Sequence, residues 1–218
     1  DKTIYNFGDM TKNIGLFTNA GIRVEDATQM IKGFSNVAAA SGTSAQNAAG
    51  AAYQLSQALS AGTIRLIDWK SLTYAGMGNK NMQNGLIEIA DAMGTLTASS
   101  TSASEVQADF NGSLEKGWLS ADVMSKYLPI MAGDMSDAEM ASLGLTDAQI
   151  QSLKQTAATA EESATKVRSW TKLLGTIAEE VGSGWSQTFE LILGNFDEAT
   201  DLFTGILDTV RGIIGGIS

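Results

Sequence analysis

The chain has 218 residues, 44% hydrophobic and 17% charged, with a formal net charge of -10. It is long enough to bury a substantial core and too apolar to be disordered by charge, while its acidity opposes stable binding to nucleic-acid phosphates. It contains neither cysteine nor histidine, which excludes disulfides, thiolate zinc sites, thiol nucleophiles and the commonest general base, and no cofactor is expected.

A single proline, Pro129, and few β-branched runs predict an all-α fold. The opening "DKTIYNFGDM" carries no basic-then-apolar leader pattern, so no signal peptide is expected, and it reads as a piece of a longer chain. The uncharged stretch from Gly33 to Ile64 is too rich in Ser, Gly, Asn and Gln for a membrane span. "VEDATQMIKGFSNVAAASG" predicts a helix with Val24, Ala27, Ile31, Phe34 and Ala38 on one face. "TSAQNAAGAAYQLSQALSAG" predicts a second, opened by Thr43 and Gln46 at capping-box spacing and ended by Gly62. The two are expected to form a helical hairpin, with the small residues from Ala48 to Ala52 allowing close approach.

"TIRLIDWKSLTYAG" predicts a short third helix with Ile64, Ile67, Leu72 and Ala75 near one face and Trp69 and Tyr74 beside it. "GMGNKNMQNG" reads as a loop and "LIEIADAMGTL" as the next helix; the loop lacks the lysine and preceding strand of a phosphate cradle. The Ser/Thr/Ala tract around residues 96–104 is expected to be a linker between an N-terminal helical region, 1–95, and a short-helix region, 105–154. Within the latter a turn is expected at Gly117 and a helix from Ser120 that Pro129 bends or ends. "SDAE" at Ser136 and "TDAQ" at Thr146 mark two capped helix starts. Lys154 is the nearby cation there, against Asp137, Glu139 and Asp147, which argues against a DNA-reading helix-turn-helix.

Region 155–218 is expected to hold long helices. From Trp185 a 4,3 spacing runs through Phe189, Ile192, Phe196, Ala199, Phe203, Ile206, Val210, Ile213 and Ile217, a heptad-like seam. Extra apolar positions at Leu193, Leu202, Leu207 and Ile214 widen it beyond a two-stranded seam. Self-association into a trimer or hexamer is expected, with acids such as Glu190, Asp197 and Asp201 on the outer faces. Several glycines weaken the isolated helix, so it should depend on its neighbours.

The pairs Glu161–Glu162 and Glu179–Glu180 are sequence neighbours, about 100° apart on a helix, and cannot flank one glycosidic bond. Without histidine there is no standard triad, and no G-x-S-x-G elbow is present. The residues themselves predict no catalytic, cofactor or metal site.

Three stretches resemble the tape measure proteins of long-tailed bacteriophages and prophages: "AGAAYQLSQALSAGTIRLIDWKSLTYAGM", Ala49 to Met77; "LEKGWLSADVMSKYL", Leu114 to Leu128; and "VGSGWSQTFELILGNFDEATDLFTG", Val181 to Gly205. The resemblance implies a structural, non-enzymatic role as tail-length ruler and scaffold inside the tail tube, with help in genome ejection. The implied partners are further copies of itself, tail tube and tail tip proteins, tail assembly chaperones and, during ejection, the host membrane. The implied locations are the tail lumen of the virion and, during assembly, the host cytoplasm. The competing expectation is a secreted or membrane-active helical protein.

Overall fold

A computed structural model describes residues 17–181, with side-chain surroundings as far as Lys166. The chain divides into two compact units, Asp1–Thr171 and Lys172–Ser218, and the packing described below belongs to the first. The fold is all-α. The helices are α1 Val24–Ala40, α2 Ala45–Ala61, α3 Leu66–Tyr74, α4 Lys80–Ala92, α5 Thr95–Ala98, α6 Ala103–Ala108, α7 Phe110–Ser113, α8 Ala121–Met131, α9 Asp137–Ser142 and α10 Asp147–Val181.

Helix α1 buries Ala27, Ile31, Phe34 and Ala38 as its periodicity predicts, while Val24 at its first position is 61% exposed. Its main partner is α8 rather than its sequence neighbour α2, which packs chiefly on α3. The hairpin expectation is corrected on that point, and Gly33 supplies the physical reason. A Cβ there would lie 1.8 Å from the Leu128 carbonyl oxygen, so only glycine lets the two backbones touch. The crossing is fixed further by Asn36, whose buried Nδ2 donates to the Met131 carbonyl at 3.0 Å. That carbonyl belongs to the last turn of α8, where no intrahelical donor remains. Lys32 and Asp134 add a half-buried ion pair at 2.6 Å.

The cap of α2 is Ser44, accepting from the Asn47 N–H at 3.2 Å. Thr43, the expected cap, instead donates its hydroxyl to the Ala75 carbonyl at 2.6 Å. Gly62 ends α2 in the left-handed region, φ 83°, as expected. The following residues leave the helix. Ile64 N–H donates to the Leu119 carbonyl and Ala121 N–H to the Gly62 carbonyl, both at 2.9 Å, forming a small antiparallel bridge between two loops. Helical phase therefore restarts at Leu66, and the face predicted for α3 rotates. Trp69 and Leu72 are buried with Ile64 and Ala75, whereas Ile67 is 72% exposed.

Helix α4 begins inside the expected loop because the Asn79 side chain accepts from the Met82 N–H at 3.0 Å and caps it. In the expected linker, Leu96 of α5 is fully buried, and Ser102 with Glu105 makes a capping box that starts α6. Gly117 turns with φ 76°, Ser120 caps α8, and Pro129 sits inside α8, which continues to Met131. Ser136 with Glu139 and Thr146 with Gln149 close the two boxes predicted from spacing. Helix α10 runs on from this second box through Gln155 as one helix, burying Ile150, Leu153, Ala157, Ala160 and Ala164.

Candidate functional site

Two of the stretches that carry the resemblance are brought together in space. The loop bridge joins 49–77 to 114–128, and beneath it Trp69 meets Phe110 at 4.7 Å between ring centroids, while Phe110 meets Trp118 edge-on at 5.4 Å. Both tryptophans are buried, and the Trp118 indole N–H donates to Ser113 Oγ at 3.0 Å, so its polar atom is satisfied inside the core. On the outer side of the same region Tyr53, Ile67 and Tyr74 are 46%, 72% and 82% exposed. Ile67 and Tyr74 lie seven residues apart on α3 and so share a face. Helix α2 has no charged residue anywhere along its length. Helix α3 adds the exposed Lys70 between Ile67 and Tyr74 on that face, so the surface is partly apolar with one cation, and its exposed apolar side chains suit protein contact.

A second feature is a polar crevice between α10 and the ends of α1, α4 and α8. Its wider part has a volume of about 360 Å³ and is lined by Ser41, Asn79, Tyr127, Thr156, Thr159 and Ser163 among others. A neighbouring cavity of about 100 Å³, lined by Asn84, Gly85, Glu88, Tyr127 and Leu153 among others, shares four lining residues with it. In three of the lining residues an oxygen, Ser41 Oγ, Asn84 Oδ1 or Glu88 Oε2, is buried away from the cavity surface without a hydrogen-bond partner. Burial pushes the Glu88 carboxyl above its ordinary range and raises the Tyr127 phenol, which stays protonated. Gly85 is required here because a Cβ would stand 2.9 Å from the Tyr127 ring. This site was missed in the sequence because residues 76–85 read as a loop. Carrying the helix back to Asn79 shows Asn84 and Glu88 four residues apart on one face.

The predicted seam, Trp185, Phe189, Ile192, Phe196, Phe203, Ile206, Val210, Ile213 and Ile217, lies outside the described residues. Glu161 and Glu162 are exposed on α10, where Glu162 pairs with Lys166 at 2.7 Å. The hydrogen bond and charge of Lys166 hold that carboxyl below its ordinary range, so this pair forms a helix-surface contact and not a substrate cleft. The α4 N-terminus, in the loop compared with a phosphate cradle, is occupied by the Asn79 side chain. Lys154, the cation of the α9–α10 turn, is tied to Asp137 at 2.7 Å. Among the described residues there is no metal-binding cluster, and no helix is long and apolar enough to cross a membrane.

Comparison with protein-family models supplies what geometry alone does not. The model described as "Tape measure protein" matches residues 1–179. The chain belongs to the tape measure protein family. No curated protein and no solved structure gives a significant match. The family is structural rather than enzymatic, and membership gives this tape measure protein a structural role in the phage tail and a place in the virion. In this tape measure protein the Trp69–Phe110–Trp118 cluster is therefore scaffold. Among the described residues, the outer α2–α3 surface and the polar crevice are two of the features open to contact with other molecules.

Proposed function

We propose that this tape measure protein acts as ruler and scaffold inside the tail tube and assists genome ejection. The family match over residues 1–179 carries the reading. A largely helical chain suits it physically, since each helical residue advances about 1.5 Å and length in residues translates directly into length in space. The described region contributes a folded, many-helix unit rather than a plain rod. The spacing from Trp185 to Ile217 supports self-association of the remaining helix into a trimer or hexamer. The tail tube and tail tip proteins, the assembly chaperones and, at ejection, the host membrane are its partners. It works in the tail lumen after assembly in the host cytoplasm.

The test is made in the phage. In-frame deletion of helical segments from the full-length chain should shorten tails, seen in electron micrographs, in proportion to the residues removed. Tails of unchanged length would overturn the ruler reading. Mass measurement of residues 155–218 in solution tests the seam, with a monomer as the outcome against it.

A further inference from the structure

Helix α10 is held firmly at its start and weakly beyond it. At the start, Thr146 and Gln149 close a capping box, and Lys154 pairs with Asp137 of α9 at 2.7 Å. The large side chains of Ile150 and Leu153 are buried there, with Leu153 so close to α4 that a Cβ on Gly85 would stand 3.1 Å from it. Past Leu153 the buried positions continue at helical spacing as Ala157, Ala160 and Ala164. A methyl group removes far less apolar area from water than a leucine or isoleucine side chain, so each later turn contributes much less to docking.

Nothing polar makes up the difference. The polar side chains of α10 that line the crevice are Ser152, Gln155, Thr156, Thr159 and Ser163, and among the described residues none of them bonds to α1, α4 or α8. The hydroxyls of Thr156, Thr159 and Ser163 donate instead to the main-chain carbonyls of Ser152, Gln155 and Thr159 within the helix, at 3.0, 3.0 and 2.8 Å. The two cavities, about 360 and 100 Å³, lie along this same stretch, so one flank of the helix lacks dispersion contacts as well. The α1–α8 crossing is the contrast, with touching backbones at Gly33, a buried amide bond from Asn36 and the Lys32–Asp134 pair.

From the taper of buried side chains past Leu153, the cavities beside them and the want of any bond across the crevice, we infer that α10 is a hinged arm. Pinned at Ile150 and Leu153, it lifts from Ala157 onward off a body, α1 to α8, that stays folded. Lifting opens the crevice around Val37, Met82 and Met131, which line it and are buried while the arm is down. The arm does not rest on the tail-length reading.

The chain has no cysteine, so a single introduced thiol reports on one position. In the 218-residue chain without denaturant, dithiobis(nitrobenzoate) should label Ala164→Cys about a hundredfold or more faster than Ala90→Cys, although both alanines are buried, because labelling of a buried thiol follows the population of the open form. Ala157→Cys, nearer the pin, should fall between them, and Ala27→Cys, buried in α1, is a second body position should Ala90→Cys prove unstable. Urea should speed labelling at 164 with a much shallower dependence than at 90, since lifting exposes little surface. Thr156→Leu, at a residue lining both cavities, should fill part of the gap and slow labelling at 164 about fivefold, while Ala158→Leu, on the exposed face, should change it less than about twofold. Equal rates at 164 and 90, the same urea dependence at both, or no slowing by Thr156→Leu would each overturn the arm, leaving α10 as a part of the core that opens only with the whole fold.

Discussion

Helix α8 is flanked by two contacts of opposite character. Toward α1 the backbones touch at Gly33, the end carbonyl of α8 has its donor in Asn36, and an ion pair stands beside the crossing. Toward α4 and α10, Tyr127 is buried against Gly85, but the adjoining space stays open, and oxygens of Ser41, Asn84 and Glu88 have no partner. The first contact is closed in both shape and hydrogen bonding, and the second is closed in neither. A helix can thus be anchored on one side firmly enough to leave a polar, incompletely satisfied surface on the other, where a binding function is affordable.

The largest effect should come from breaking the closed side. Gly33→Val places branched carbon against the Leu128 carbonyl and should cost about 3 kcal/mol or more, read as a lower urea midpoint with an unchanged slope. If the variant is as stable as the parent, α1 does not cross α8 in the way described. Asn36→Leu keeps the volume roughly but strands the Met131 carbonyl, with an expected loss of about 1–3 kcal/mol in the same measurement. A neutral result would mean that water replaces the amide and that the crossing is less dry than it is drawn here.

Gly50 offers the reverse comparison. It lies within α2, yet a Cβ there meets nothing within 4 Å, so Gly50→Ala should raise stability by about 0.5–1 kcal/mol through helix propensity alone. Destabilisation would show that this open face is covered in solution.

The smallest effect belongs to the open side. Burial raises the Glu88 carboxyl in the folded state, so the fold binds that proton more tightly than the unfolded chain. Its favourable contribution is fully present below the unfolded carboxylate range and is lost as pH rises through the raised value. Glu88→Gln should flatten that decline and leave the chain slightly more stable at neutral pH, by about a few tenths of a kcal/mol given the partial exposure of the group. Glu139 has the opposite sign: its capping bonds to Ser136 lower its carboxyl, so its contribution is present above the unfolded range and lost as pH falls. Stability curves between pH 3 and 7 for Glu88→Gln and Glu139→Gln should therefore diverge from the parent in opposite directions. Parallel curves would remove the distinction drawn between the buried and the capping carboxylates.

The structure also shows which kinds of information were local. The boxes at Ser136 and Thr146 and the left-handed end at Gly62 were legible because each depends on residues three or four apart, whose bonds form within one turn of helix. The stripe from Ala27 to Ala38 was legible because seventeen residues of helix fix its phase. For α3 the phase failed, since nine residues give little periodicity and the loop bridge at Ile64 resets the start. The crevice was hidden by a glycine-and-asparagine run that reads as loop until Asn79 caps it into α4.

By itself the sequence determined that the chain is helical, where most of its helices begin, that it lacks the residues of common catalysis, and, through three short stretches, which family it resembles. These follow from composition and from interactions within a helical turn. Only the tertiary structure decided that α1 lies on α8, that Trp69 is core while Ile67 is surface, and that Asn84, Glu88 and the hydroxyl residues of α10 line adjoining cavities. Each of those outcomes joins residues far apart in sequence. There the deciding quantity is whether two surfaces fit at atomic distance, as the missing Cβ of Gly33 against Leu128 shows.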